Sequence, residues 1–239
     1  MTDDYIQRRL NWIDGDQEHQ GEEADILGQQ RPVVILGEPG MGKTELLKRL
    51  GENPNAQFVR AAAFLRWTNG QMTPGNVLVI DALDEVAAKA KGDPLHNVLK
   101  KLAELDRPRF VLSCRSAEWQ SASANREIAD DYLQSALEIR LDRIGRDDAS
   151  AYLAKHKGST EADHIITVLD EQGLSDLYAI PLFLKLLSKL TEIPGSRSQL
   201  YALAVRQLRQ EHNDIAILRS PTLRKTRRWM RQAQRWRYG

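Results

Sequence analysis

The chain has 239 residues, 41% hydrophobic and 28% charged, with a formal net charge of +1; this suits one large domain, or a core domain with a smaller second one. Its most apolar stretch, 174–190, is interrupted by Asp176, Lys185 and Lys189, so no run approaches the roughly 18 apolar residues of a membrane-spanning helix. Residues 1–10 carry Asp3, Asp4, Arg8 and Arg9 with no apolar segment of a secretory signal behind them, and the single cysteine, Cys114, excludes an internal disulfide framework, which together predict a cytoplasmic protein.

Residues 5–13 space their apolar side chains for one helical face and stop at Asp14-Gly15; the acidic 14–23 reads as loop. Val33-Val34-Ile35-Leu36 then forms an apolar strand. It runs into Gly37-Glu38-Pro39-Gly40-Met41-Gly42-Lys43-Thr44, the pattern G-x-x-x-x-G-K-T, and into the helix-forming Glu45-Leu46-Leu47-Lys48-Arg49-Leu50. Gly51 to Pro54 end that helix, 57–61 reads as a second strand, 67–75 as turns, and 76–81 as a buried parallel strand ending in Asp81. Asp93-Pro94 opens a helix with Leu95, Val98, Leu99, Leu102 and Leu105 on one face. Strands follow at 109–114 and 137–141, and from Arg146 onward the pattern is helical, at about 146–156, 160–172, 181–190 and 197–211.

Alternating strands and helices predict an α/β fold with a parallel sheet covered on both faces, and the G-x-x-x-x-G-K-T loop between the first such strand and its helix makes it a P-loop NTPase parallel five-stranded sheet flanked by helices, followed by a small helical subdomain. The chain divides into an N-terminal helix and acidic linker over 1–30, a nucleotide-binding domain over 31–145, the helical subdomain over 146–212 and a basic tail over 213–239.

The chemistry follows from that order. Loop glycines let backbone N–H groups converge on phosphate oxygens at a helix N-terminus, Lys43 brings a full charge to the β- and γ-phosphates, and the Thr44 hydroxyl is placed for Mg²⁺. A nucleoside triphosphate with Mg²⁺ is the expected ligand pair. Asp81 ends a buried strand at the carboxyl edge beside the loop, where it can hold Mg²⁺ through water, and Asp84 or Glu85 can orient or deprotonate the attacking water. The same acids also suit a solvated helix start. Arg115, just beyond the strand 109–114, can grip a γ-phosphate or make a surface ion pair.

Together, the loop at 37–44, Leu78-Val79-Ile80-Asp81-Ala82-Leu83-Asp84-Glu85 and Val111-Leu112-Ser113-Cys114-Arg115-Ser116 resemble the NACHT-type branch of the STAND signalling ATPases, relatives of AAA+ proteins. That family carries a phosphate loop, an acidic strand D-G-x-D-E and a strand ending T-S-R-P. Ala82 stands where the family usually has glycine, and Ser113, Cys114 and Ser116 replace Thr, Ser and Pro. The passage from Leu141 to Leu153 is similar to the family's step into its helical subdomain, and Ile180-Pro181-Leu182-Phe183 to its proline-led helix. The resemblance implies that Pro181 lies against the base, that Glu85 positions water, that Arg115 reads the γ-phosphate, and that ATP and ADP states arrange the helical subdomain differently. A role in bacterial defence against phage, and a protein partner or self-association through the nucleotide-binding domain, are implied in the same way. Family members generally continue into a winged-helix domain and a sensor array, for which nothing after His212 has room, so the resemblance implies a core that is truncated, split or completed by a partner.

Residues 219–239 hold eight arginines and lysines and no acid; without those eight the remaining 26 basic residues face 33 acids, near −7. As a helix the tail would set Trp229, Met230, Ala233 and Trp236 on one side, which suits nucleic acid or an anionic membrane surface, or it is a solvated end. Two other functions therefore stand beside the switch: a nucleic-acid-associated AAA+ ATPase using this tail, and a non-hydrolysing module ordered by bound nucleotide. The histidines His19, His96, His156, His164 and His212 show no metal-ligand spacing, and Cys114 reads as a packing residue.

Overall fold

The structure, a computed structural model, describes residues 5–68, 70–83, 93–190, 195, 196, 198, 199, 202, 203 and 206. Its centre is a seven-stranded sheet in the order β2-β1-β7-β3-β6-β5-β4. The strands are β1 (Arg9–Asp14), β2 (Gln17–Glu22), β3 (Val33–Leu36), β4 (Ala56–Arg60), β5 (Val77–Asp81), β6 (Phe110–Cys114) and β7 (Leu137–Leu141). The five strands from β7 to β4 are all mutually parallel neighbours, which is the five-stranded sheet expected from the sequence.

The N-terminal reading is corrected. Residues 9–22 form an antiparallel β-hairpin in place of a helix and an acidic loop, turning through Gly15-Asp16 between the paired Asp14 and Gln17. The apolar spacing of Ile6, Leu10 and Ile13 fits a helix, but Leu10 and Trp12 also alternate as a strand requires, and the side edge of β7 decides between them. Leu10 pairs with Leu141 and Trp12 with Ile139, covering backbone groups that β7 would otherwise leave unpaired. Trp12 also lies over Gly21 so closely that a β-carbon there would stand 2.7 Å from its ring, an aromatic filling the space a glycine leaves on the neighbouring strand.

Both faces of the parallel sheet are covered, and β3 shows how. Val34 and Leu36 join the core formed with Phe64, Leu99, Leu102 and Ile128, while Val33 and Ile35 face Ile26, Leu46 and Leu47 on the other side. The flanking helices are α1 (Ala24–Gly28), α2 (Lys43–Leu50), α3 (Ala61–Phe64), α4 (Pro94–Glu104) and α5 (Ser121–Tyr132). α4 begins as its sequence predicts, with Pro94 in the first turn and the Asp93 carboxylate accepting the Leu95 N–H at 2.9 Å.

Beyond β7, helices α6 (Arg146–Lys157), α7 (Ser159–Glu171), α8 (Ser175–Tyr178) and α9 (Pro181–Lys189) build the helical subdomain. Its core gathers Ile144, Leu153, Ile166, Leu169, Phe183 and Leu184, with Ile6 of the N-terminal segment packed against it. The helix predicted over 197–211 falls largely, and the basic tail over 213–239 wholly, outside the described residues. Among the described residues no helix is long and apolar enough to cross a membrane.

Candidate phosphate-binding site

The site is built where β3 stops. Four fully buried residues bring the chain to Gly37, and the loop to Thr44 turns it into α2, whose N-terminal cap is Gly42. Gly40 and Gly42 take φ of 83° and 88°, left-handed backbone that a side chain would strain. Glu38 and Pro39 are exposed on the loop, whereas the Met41 side chain is buried in the sheet core. Lys43 Nζ donates to the carbonyls of Gly37 and, at 3.2 Å, of Glu38, so its ammonium lies across the loop. The arrangement gathers a glycine loop, a helix N-terminus and one ammonium in one region, which is the physical requirement for holding a polyphosphate.

Opposite the loop, β5 ends in Asp81, 2% exposed. A buried carboxylate is costly unless it is hydrogen-bonded. Ser113 at the end of β6 donates its hydroxyl to Asp81 Oδ1 at 2.8 Å and accepts the Ala82 N–H at 2.9 Å, and Thr44 Oγ1 lies 3.3 Å from the same Oδ1. Thr44 and Asp81, 37 residues apart in sequence, are thus brought together. Ser113, which no sequence rule assigned to the site, contacts the Asp81 carboxylate directly; its one signal in the sequence is its place in the stretch that resembles T-S-R-P, two residues before Arg115. Ala82 adopts φ 65°. This is the position where the resemblance has glycine, and here a methyl group is carried in the left-handed region at a cost of ~1 kcal/mol.

Arg115 follows β6 and its guanidinium lies 3.5 Å from Glu118, both side chains roughly half exposed. Asp84 and Glu85 lie outside the described residues. Pro181 opens α9 against the loop: a β-carbon at Gly42 would stand 3.7 Å from Pro181 Cγ, and the Leu182 N–H donates to the Gly40 carbonyl at 3.2 Å. A third contact comes from the N-terminal segment. Arg8, 3% exposed, donates to the Met41 carbonyl at 2.9 Å and to the Asp142 carbonyl. Burial pulls its pKa down, while Tyr5, Glu23 and Asp142 act in the other direction.

No model of a known protein family matches the sequence. The chain is 25% identical over 170 residues to the Lon protease of Clostridium beijerinckii; the match takes in 60% of this chain and spans 21% of the protease's length. Among solved structures it is similar to a Walker-type ATPase of Pyrococcus abyssi, at 9% identity and TM-score 0.47 over 84% of this chain and 75% of that one. It is also similar to a STAND protein with a tetratricopeptide repeat sensor from Pyrococcus horikoshii, at 14% identity and TM-score 0.46 over 77% of this chain and 31% of that one. Domain III of the Thermotoga maritima replication initiation protein DnaA is similar at 13% identity and TM-score 0.41, over 76% of this chain and 87% of that one. The glycine loop between β3 and α2, with an acid at the end of a nearby parallel strand, is a P-loop NTPase fold.

Proposed function

We propose that this protein binds ATP with Mg²⁺, hydrolyses it slowly, and acts as a signal-transduction switch of the NACHT-like STAND type. The observation that carries the reading is the convergence of Thr44 and Asp81, 3.3 Å apart, beside Lys43 and the N-terminus of α2. Hydroxyl and carboxylate oxygens are the hard donors Mg²⁺ takes, and Ser113 steadies the carboxylate they depend on. Bound there, the ion would draw charge from the phosphate oxygens.

In this reading the loop backbone from Gly37 to Thr44 holds the phosphates and Lys43 moves its ammonium from the loop carbonyls to the β- and γ-phosphate oxygens. Glu85, or Asp84 beside it, takes a hydrogen bond from the attacking water. Arg115 exchanges Glu118 for the γ-phosphate, and Pro181 lies against the base. The contacts of Pro181 and Leu182 with the loop support a switch, because a change in the loop's ligand bears directly on the first turn of α9. Assembly with a protein partner or with further copies, and service in phage defence, follow from the family resemblance.

The test is phosphate release from Mg²⁺·ATP by the wild-type chain, Lys43→Ala and Glu85→Gln. Slow release lost in both variants is expected. Turnover as fast as that of a motor ATPase would remove the switch from this reading, and nucleotide binding that survives in Lys43→Ala would remove the site itself.

A further inference from the structure

We propose that Arg8 is a positioning residue for the phosphate loop: it anchors the Met41 carbonyl so that the Gly42 N–H faces the opposite way, and it ties that peptide to the linker leading into the helical subdomain. The proposal rests on the nucleotide-binding reading above.

A buried guanidinium demands partners for its N–H groups. Arg8 finds them in two main-chain carbonyls far apart in sequence, Met41 in the loop, 33 residues on, and Asp142 just past β7, 134 residues on. The peptide bonds are trans. In a trans peptide the C=O and N–H point in opposite directions, so fixing the Met41 oxygen on Arg8 fixes the Gly42 N–H away from it. Gly42 caps α2, and its N–H is one of those a phosphate loop offers to phosphate oxygens.

The second anchor point is the joint between the two parts of the molecule. The Asp142 N–H donates to the Arg9 carbonyl at 3.0 Å, and Asn11 donates its side-chain amide to the Asp142 carboxylate. Two residues later the Ile144 N–H donates to the Ala179 carbonyl at 3.0 Å, and the Ile144 side chain enters the helical core. From the far side, Leu182 of α9 holds the Gly40 carbonyl. Arg8 and Leu182 therefore grip neighbouring peptides of one loop, and both lead to the same four helices.

Arg8 is itself held. Its N–H donates to Glu23 Oε1 at 2.6 Å, the Tyr5 hydroxyl donates to the same oxygen, and Arg49 in the last turn of α2 lies 4.5 Å over the Tyr5 ring. The segment before β1 is thus clamped to the helix that the loop opens, which keeps the guanidinium under Met41 rather than in solvent.

The experiment measures the affinity of the wild-type chain, Arg8→Met, Arg8→Lys and the core control Phe110→Leu for the fluorescent N-methylanthraniloyl derivative of ADP, together with the Gly42 amide resonance of each. Affinity about tenfold weaker in Arg8→Met is expected, with Arg8→Lys intermediate because an ammonium reaches one carbonyl well but lacks the forked geometry for both. The Gly42 resonance moves in both Arg8 variants and stays in Phe110→Leu, which loses stability without touching the loop. Wild-type affinity and an unmoved Gly42 resonance in folded Arg8→Met overturn the proposal. If Arg8→Met does not fold, the same readings on Arg8→Lys decide. A wild-type chain that fails to bind the nucleotide overturns the parent reading and this one with it, an outcome distinct from binding that ignores Arg8.

Discussion

Two buried charges flank the phosphate loop, and they are held in different ways. Asp81 is held by side-chain hydroxyls, from Ser113 and Thr44; among the described residues both bonds fall on Oδ1. Arg8 is held by main-chain carbonyls. A hydroxyl turns about a single bond and can give up one partner for another, so the carboxylate side of the loop is suited to exchange with a cation. A carbonyl cannot turn without moving its peptide. The arginine side is accordingly framework, and on the readings proposed above the difference separates the part of the site that works on a ligand from the part that shapes the loop.

The sharpest way to break that comparison is Asp81→Asn. The amide keeps the shape and an oxygen for Ser113 but loses the charge, so phosphate release should fall by ~100-fold while urea unfolding of the nucleotide-free chain changes little; a large stability loss with activity retained would make Asp81 framework too. Ser113→Ala comes next. It removes the donor to Asp81 and the acceptor of the Ala82 N–H, and should lower unfolding stability by ~1–2 kcal/mol and raise the Mg²⁺ concentration needed for half-maximal phosphate release. An unchanged Mg²⁺ requirement would mean that Asp81 keeps its orientation without Ser113. The smallest effect is expected from Ala82→Gly, which relieves left-handed strain at the end of β5 against a gain of freedom in the unfolded chain; the net stabilisation should be ~0.5 kcal/mol by thermal or urea melts.

How far these features could be read from sequence depends on the distance over which each is determined. The loop from Gly37 to Thr44, the five parallel strands and the cap at Asp93 are written in short stretches, because glycine, proline and apolar runs constrain the backbone locally. The hairpin is not: Ile6, Leu10 and Ile13 match a helix, and only the edge of β7, over a hundred positions away, selects the strand pairing. α5 carries only a weak sequence signal, because Ala124, Ile128 and Tyr132 give it a thin apolar stripe among Ser, Asn, Arg and Asp. Arg8 sits beside another arginine in a segment read as helix, with partners that no spacing rule connects to it. Ser113 was visible only as a departure from the T-S-R-P pattern, although its hydroxyl is what orients Asp81.

The hairpin that closes the β7 side also governs how copies of this protein can meet. It makes β2, Gln-Glu-His-Gln-Gly-Glu, the outermost strand, so two such edges brought together would set Glu18 and Glu22 of one against the same acids of the other. At the opposite border, Gln57 of β4 fastens the backbone of Gln71 and Thr73 beside the strand. Among the described residues, continuous growth of the sheet from one molecule to the next is discouraged at both borders.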